Sequence, residues 1–317
     1  MAKLYISSFL DATIKDKKDY LPLFRDYRKG LTWLPQTYYI SRFEDSHTQY
    51  ICDFEEDIKP STTTLKNGML EGKALADWKE QDIGFRSGNS LRQNKAVLLG
   101  WEYQIPDSST VAKDSLSPGE RVNPHQTKTK DSIETFVAAS YCITLPHNLD
   151  TKWKLDKSSS LTFAIAQVDQ SPSKPLNLET KKDDEEKQEE DQKQNAKEDT
   201  EQEDEKEADE KDKEVNKSVK PLNFTIIMED EQSESVKISM QDIGLLMPPL
   251  KAKFTRFQPI EDHYGKSSEP ILQTFTIPLS RLKSLNGKFV PEKLKKILFL
   301  FDKSPKGVIL LDEIGFR

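Results

Sequence analysis

Residues 295–302 read KKILFLFD and residues 307–316 read GVILLDEIGF, with KSPK between them. Each run is short and dense in Ile, Leu, Phe and Val, and a Ser-Pro turn signal separates them, so the pair predicts two β-strands. The second run would be wholly apolar but for Asp312 and Glu313. Strict alternation puts Asp312 on the face of Leu310, Ile314 and Phe316, and Glu313 on the face of Ile309 and Leu311, so one carboxylate must point inward. A buried carboxylate is costly unless it meets a cation, a cluster of donors or a proton.

Working back from this strand, the same texture recurs from about residue 48 in QYICDFEEDI, KAVLLGWEY, ETFVAASYCITL, SLTFAIAQVD, LNFTIIMED, SVKISM and ILQTFTIPL. Leu222, Phe224, Ile226 and Met228 share one face, as do Gln273, Phe275, Ile277 and Leu279. One-sided burial in nine short strands with long connections predicts a mainly β fold, a two-sheet antiparallel β-sandwich of the jelly-roll kind, over residues 48–317. Before it, Ile6, Phe9, Leu10, Thr13 and Ile14 recur at helical spacing, which predicts a short amphipathic helix whose apolar stripe needs a partner. Residues 1–40 are too few and too interrupted by Pro22, Gly30 and Pro35 to form a domain alone.

Charge is concentrated in one place. The chain of 317 residues carries a formal charge of -7, yet residues 181–214 alone hold 18 acids and 8 bases, a net of -10, leaving +3 elsewhere. With no aromatic residue in residues 171–219, this stretch predicts a disordered acidic insertion in the sandwich. Residues 105–133 read as a second polar loop. The remaining bases are scattered, with no stripe interleaved with aromatics, which argues against nucleic acid. No run approaches the length of a membrane span, and residues 1–20 lack the apolar centre of a signal peptide. Cys52 and Cys142 lie in apolar strands as small hydrophobes, and their bonding state is open.

No catalytic motif emerges: GFRSG at 84–88 lacks the spacing of a nucleophile elbow, and there is no HExxH, phosphate loop or dinucleotide fingerprint. The four histidines, His47, His125, His147 and His263, stand in separate contexts. If the first and last strands lie side by side, Glu55, Glu56 and Asp57 meet Asp312 and Glu313, an oxygen-rich set suited to a structural Ca²⁺. The alternative is that these carboxylates cap strand ends and pair with Lys or Arg at the rim.

The early DFEED at 53–57 together with the closing KILFLFDKSPKGVILLDEIGF resembles the galactose-binding-like jelly rolls of carbohydrate-binding modules. There an opening Asp-Phe-Glu strand and a terminal Leu-Asp-Asp-Ile-like strand flank a structural Ca²⁺; here Glu313 stands where the second Asp commonly does. The leader at 6–30, ISSFLDATIKDKKDYLPLFRDYRKG, resembles the last helix and tail of a bacterial α/β-hydrolase of the esterase or platelet-activating-factor acetylhydrolase-like kind. That resemblance implies that nucleophile and catalytic His lie upstream of Met1. The expected function is a non-catalytic accessory sandwich beside a hydrolase, binding a carbohydrate through Trp78, Arg86, Arg92, Trp101, Tyr103 and Trp153, or packing on the enzyme domain. The alternatives are a purely structural module and a fragment of the hydrolase itself.

Overall fold

The computed structural model describes residues 2–37, 39–44, 46–84, 91–103, 126–129, 132–135, 138–147, 153, 155–156, 158–173, 221–252 and 267–317. The acidic insertion beyond residue 173, most of the 105–133 loop, His125 and His263 lie outside them.

The chain opens with a helical arm, α1 (Ala2–Thr13) and α2 (Leu21–Arg25), and then forms strands β1 (Gln49–Cys52), β2 (Met69–Lys73), β3 (Asp77–Gly84) and β4 (Leu91–Glu102). A small hairpin of β5 (Gln126–Thr129) and β6 (Ser132–Thr135) precedes β7 (Ala139–Thr144) and β8 (Ser160–Gln167). The second half contains β9 (Thr225–Asp230), β10 (Ser235–Ser239), α3 (Met240–Ile243), and the short pair β11 (Leu250–Ala252) and β12 (Ser267–Glu269). It ends with β13 (Gln273–Pro278), α4 (Leu279–Leu285), β14 (Leu294–Phe301) and β15 (Lys306–Phe316).

Two antiparallel sheets make a jelly-roll sandwich. Sheet A runs β13-β8-β15-β4-β3 with β1 added against β15, and sheet B runs β10-β9-β14-β7-β2. The two closing strands occupy the middle of opposite sheets, which is why their reading decides the fold. Between the sheets lies the main core, including Phe163, Phe224, Ile226, Met228, Tyr141, Ile297, Phe299 and Phe301. Burying each large side chain of this kind stabilises the fold by about 1.5–3 kcal/mol. The middle strands of sheet A are apolar on both faces because a second cluster, Ala96, Leu98, Ala164, Ala166, Val308 and Leu310, is buried on the outer side.

β15 departs from alternation. Ile309 and Leu311 face the main core and Val308 and Leu310 the outer cluster, yet Ile314 and Phe316 return to the main core. The phase slips by one residue across Asp312-Glu313, where the register with β8 is broken and Glu313 takes a positive φ of 52°. An extra residue of this sort is a β-bulge. It removes the forced choice predicted from alternation: neither carboxylate belongs to the inter-sheet core.

β1 fits against β15 beyond the bulge, with Gln49 opposite Phe316 and Tyr50 opposite Gly315. A Cβ on Gly315 would stand 2.5 Å from the Gln49 carbonyl oxygen, which is backbone and cannot swing aside. The DFEED segment is not strand: β1 ends at Cys52, and Phe54 turns the chain with a φ of 54° while burying its ring. Both cysteines are free thiols, Cys52 buried and Cys142 half-buried. Among the described residues no helix is long and apolar enough to cross a membrane.

The Gly315 contact gives a test of the seam. Gly315→Ala should destabilise the protein by about 1–3 kcal/mol through overpacking, read as a lowered thermal midpoint; an unchanged midpoint would mean β1 does not approach β15 this closely.

Candidate functional site

The β1–β15 seam gathers the acidic residues into two groups. Asp312 is 2% exposed and Glu313 8% exposed, and the Asp312 Oδ1 accepts a hydrogen bond from the Glu313 backbone N–H at 2.7 Å. Arg42, from the connection between the arm and β1, forms an ion pair with Glu313 and a second one with Glu44 at 2.9 Å. Burial, followed by the neighbouring Glu313 charge, pushes the Asp312 carboxyl up to about 8. Burial also raises Glu313, and the Arg42 guanidinium pulls it back. Of the two, Asp312 is the one held toward its protonated form, while Glu313 faces the Arg42 cation. Tyr50, in the same field, is pushed up to about 12 by burial and by Glu313.

The second group is the loop after β1. The Glu55 Oε1 accepts from the Lys95 backbone N–H at 2.7 Å, Asp57 Oδ1 accepts from the Lys59 N–H at 2.6 Å and the Thr62 hydroxyl at 2.9 Å, and Glu56 Oε2 accepts from the Thr64 hydroxyl at 2.9 Å. These side chains shape turns, as short acidic residues in loops commonly do. Of the five carboxylates, Glu55 lies near enough to Asp312 for its charge to raise that carboxyl, whereas Glu56 and Asp57 act on Glu80 of β3. Among the described residues no three His, Cys, Asp or Glu side chains form a metal-like group.

Glu80 escaped the sequence reading. Burial and the charges of Glu56 and Asp57 push it up to about 7, and both its oxygens are buried with no hydrogen-bond partner among the described residues. The Trp78 Nε1 and the Tyr141 hydroxyl share that condition, and their rings meet edge to face at 6.3 Å. These buried polar groups carry no motif because β3, DWKEQDIG, reads as a charged loop.

Of the six residues expected to contact sugar, the described aromatic ones lie in the core or pack against it. Trp101 is fully buried, stacked on Phe301 at 4.1 Å, with its Nε1–H donated to the Ser304 carbonyl at 2.8 Å, so it serves the core and the expectation is corrected. Trp78, Tyr103 and Trp153 are partly buried and pack against the same core, Trp153 against Phe316 at 5.9 Å. Arg86 and the side chain of Arg92 lie outside the described residues.

Neither protein-family models nor curated proteins offer a match to the sequence. Among solved structures, the chain is similar to an exo-β-agarase at 11% identity and a TM-score of 0.35, over 86% of this chain and 25% of that one. It is also similar to the family 30 carbohydrate-binding module of a Clostridium thermocellum cellulosomal cellulase, at 9% identity and TM-score 0.33 over 87% and 94% of the two chains. A family 11 carbohydrate-binding module from the same organism matches at 9% identity and TM-score 0.32, over 85% and 93%. The chain thus spans about a quarter of the agarase.

Two predictions follow from the seam's charges. Because the folded state raises Asp312 above its ordinary value, its stabilising contribution is full below about pH 4 and is lost as pH rises to about 8. Asp312→Asn should flatten that slope and raise the melting point at pH 8.5, measured by calorimetry across pH; a parent slope unchanged in the variant would overturn the assignment. Arg42→Met should lower stability by about 2 kcal/mol by stranding Glu313, and adding Glu313→Gln should restore most of the loss.

Proposed function

We propose that this chain is a non-catalytic β-sandwich module that acts by binding, and that its partner is a protein surface engaging the helical arm. One observation carries the reading. α1 packs Leu4 and Tyr5 against the arm's own small core of Leu23, Leu34 and Tyr39, while the stripe picked from sequence, Ile6, Phe9, Leu10 and Ile14, is exposed at 59%, 54%, 43% and 75%. A helix apolar on two sides and covered on one is the pattern of a helix that completes its burial in a groove on another protein. Leu31 and Trp33, further along the arm, are exposed as well. The leader's resemblance makes an α/β-hydrolase domain the first candidate for that surface.

A carbohydrate ligand is the second reading. It is favoured by Trp33, whose indole is 61% exposed and offers the flat apolar surface on which a sugar ring stacks. A structural Ca²⁺ at the β1–β15 seam is a separate proposal, and the Arg42–Glu313 pair competes with it for the same charge.

A photo-reactive residue in place of Phe9 should give one discrete cross-linked protein, lost on Ile6→Ser/Ile14→Ser with the melting point unchanged. Failure to cross-link, together with retention on a glycan array that Trp33→Ala abolishes, would replace the first reading by the second. For the metal, a chelator should lower the melting point by several degrees if Ca²⁺ joins the strands, and leave it unchanged if Arg42 alone supplies the positive charge.

A further inference from the structure

Between the arm, the edge strand β13 and α4 opens a cleft of about 390 Å³. Arg25, Arg28 and Lys29 of the arm, Arg281 of α4 and Arg317 line it, against a single side-chain carboxylate among its described lining residues, Asp26. Asp26 is committed to Arg28, accepting from its backbone N–H at 3.0 Å and from its Nε at 2.7 Å. Arg28 and Arg281 reach in from opposite walls to adjacent carbonyls at the end of α3: Arg28 Nη1 donates to Ile243 at 2.9 Å and Arg281 Nη2 to Asp242 at 3.0 Å. Both guanidinium groups are thus anchored on consecutive carbonyls, and each has five N–H donors, more than these bonds use. Arg25 and Arg317 both lie over the Phe43 ring, at 5.8 and 5.6 Å from its centroid, so one aromatic seats two more positive charges near the same space. The cleft also presents apolar surface from Pro22, Tyr27 and Leu245.

Like charges gathered on a concave wall focus a positive potential, and planar guanidinium forks suit oxyanions better than neutral hydroxyls. A carboxylate occupies one fork; two forks converging from opposite walls suit a tetrahedral group with three terminal oxygens. We propose that this cleft binds a phosphate monoester, its head held by Arg28 and Arg281 and its organic body against Pro22 and Leu245. The site is independent of the exposed face of α1, so either can fail without the other.

The full chain should be titrated calorimetrically with glucose 6-phosphate, with glucose and with sodium chloride at matched ionic strength, and sedimented with phosphatidylcholine vesicles with and without phosphatidic acid. Glucose 6-phosphate or the phosphatidic acid vesicles should bind over their controls, the first pointing to a soluble ester and the second to a lipid head group. Binding should weaken with salt and fall at least about tenfold in Arg281→Ala and severalfold in Lys29→Ala, while Ile6→Ser changes nothing. Lys29 is exposed, so its variant keeps the test valid should Arg281→Ala misfold. No binding of either probe above control, or binding unchanged in a folded Lys29→Ala, would overturn the proposal.

Discussion

The single extra residue in β15 at Asp312-Glu313 is the constraint on which the rest of the seam depends. Without it, the apolar phase of the strand would carry one carboxylate into the space between the sheets, where Phe163 and Phe299 pack. With it, both carboxylates stay off that core, and Ile314 and Phe316 regain the inner face. The two acids then separate in role. Asp312 is held toward its protonated form by burial and Glu313 faces the Arg42 cation, which is how neighbouring carboxyls are generally tolerated in a low-dielectric site. The local left-handed turn at Glu313 has its own cost, of the order of 1 kcal/mol, and the packing of the strand on both sides holds it.

Arg42 ties this seam to the arm. It belongs to the segment that leaves the arm and runs beside β13, where the Thr274 N–H donates to the Ser41 carbonyl at 2.9 Å and the Phe43 N–H to the Thr274 hydroxyl at 2.9 Å. The Ser41 hydroxyl in turn donates to the Phe24 carbonyl in the arm at 3.1 Å. The sandwich therefore supplies the edge that positions residues 41–43, and residues 41–43 supply the cation that the sandwich's last strand requires. Docking of the arm and closure of sheet A are electrostatically coupled.

Much of this was legible in the sequence, and the failures have physical causes. The inward faces of β9 and β13 follow from period-two alternation, because those strands are fully buried on one side only. The neighbouring of β1 and β15 was also readable from the first and last strands of the pattern. Strands β2 and β3, MLEGK and DWKEQDIG, were missed because both are edge strands, where one flank meets solvent and charged residues are tolerated. The bulge left no mark, since one residue's φ changes no composition, and it reversed the predicted face of every residue after it. DFEED looked like strand because Phe54 is apolar and in phase; its positive φ turns the same burial into a loop anchor. Trp101 was chosen for its chemistry, but a strand apolar on both faces leaves no solvent for an aromatic platform. Arg28 and Arg281 lie 253 positions apart in the chain, and only the docking of the arm brings them to one cleft.

The cleft and the exposed face of α1 differ in how much order binding would have to create. Around the cleft, Arg28 and Arg281 are bonded to α3, Ser41 joins the arm to β13, and the Arg317 Nη2 donates to the Thr276 hydroxyl at 3.1 Å. These side chains have already lost much of their rotamer freedom on folding, so a ligand that meets them gives up little further entropy. On α1 the exposed residues have no such restraints, and the arm's own core is small, three buried side chains with a few partly buried neighbours. A partner there must gain enough from apolar burial to order those side chains as it binds. Preorganisation suits the cleft to a small, weakly apolar anion, whereas the helix face requires an extended surface, and this division is what allows one short arm to present both.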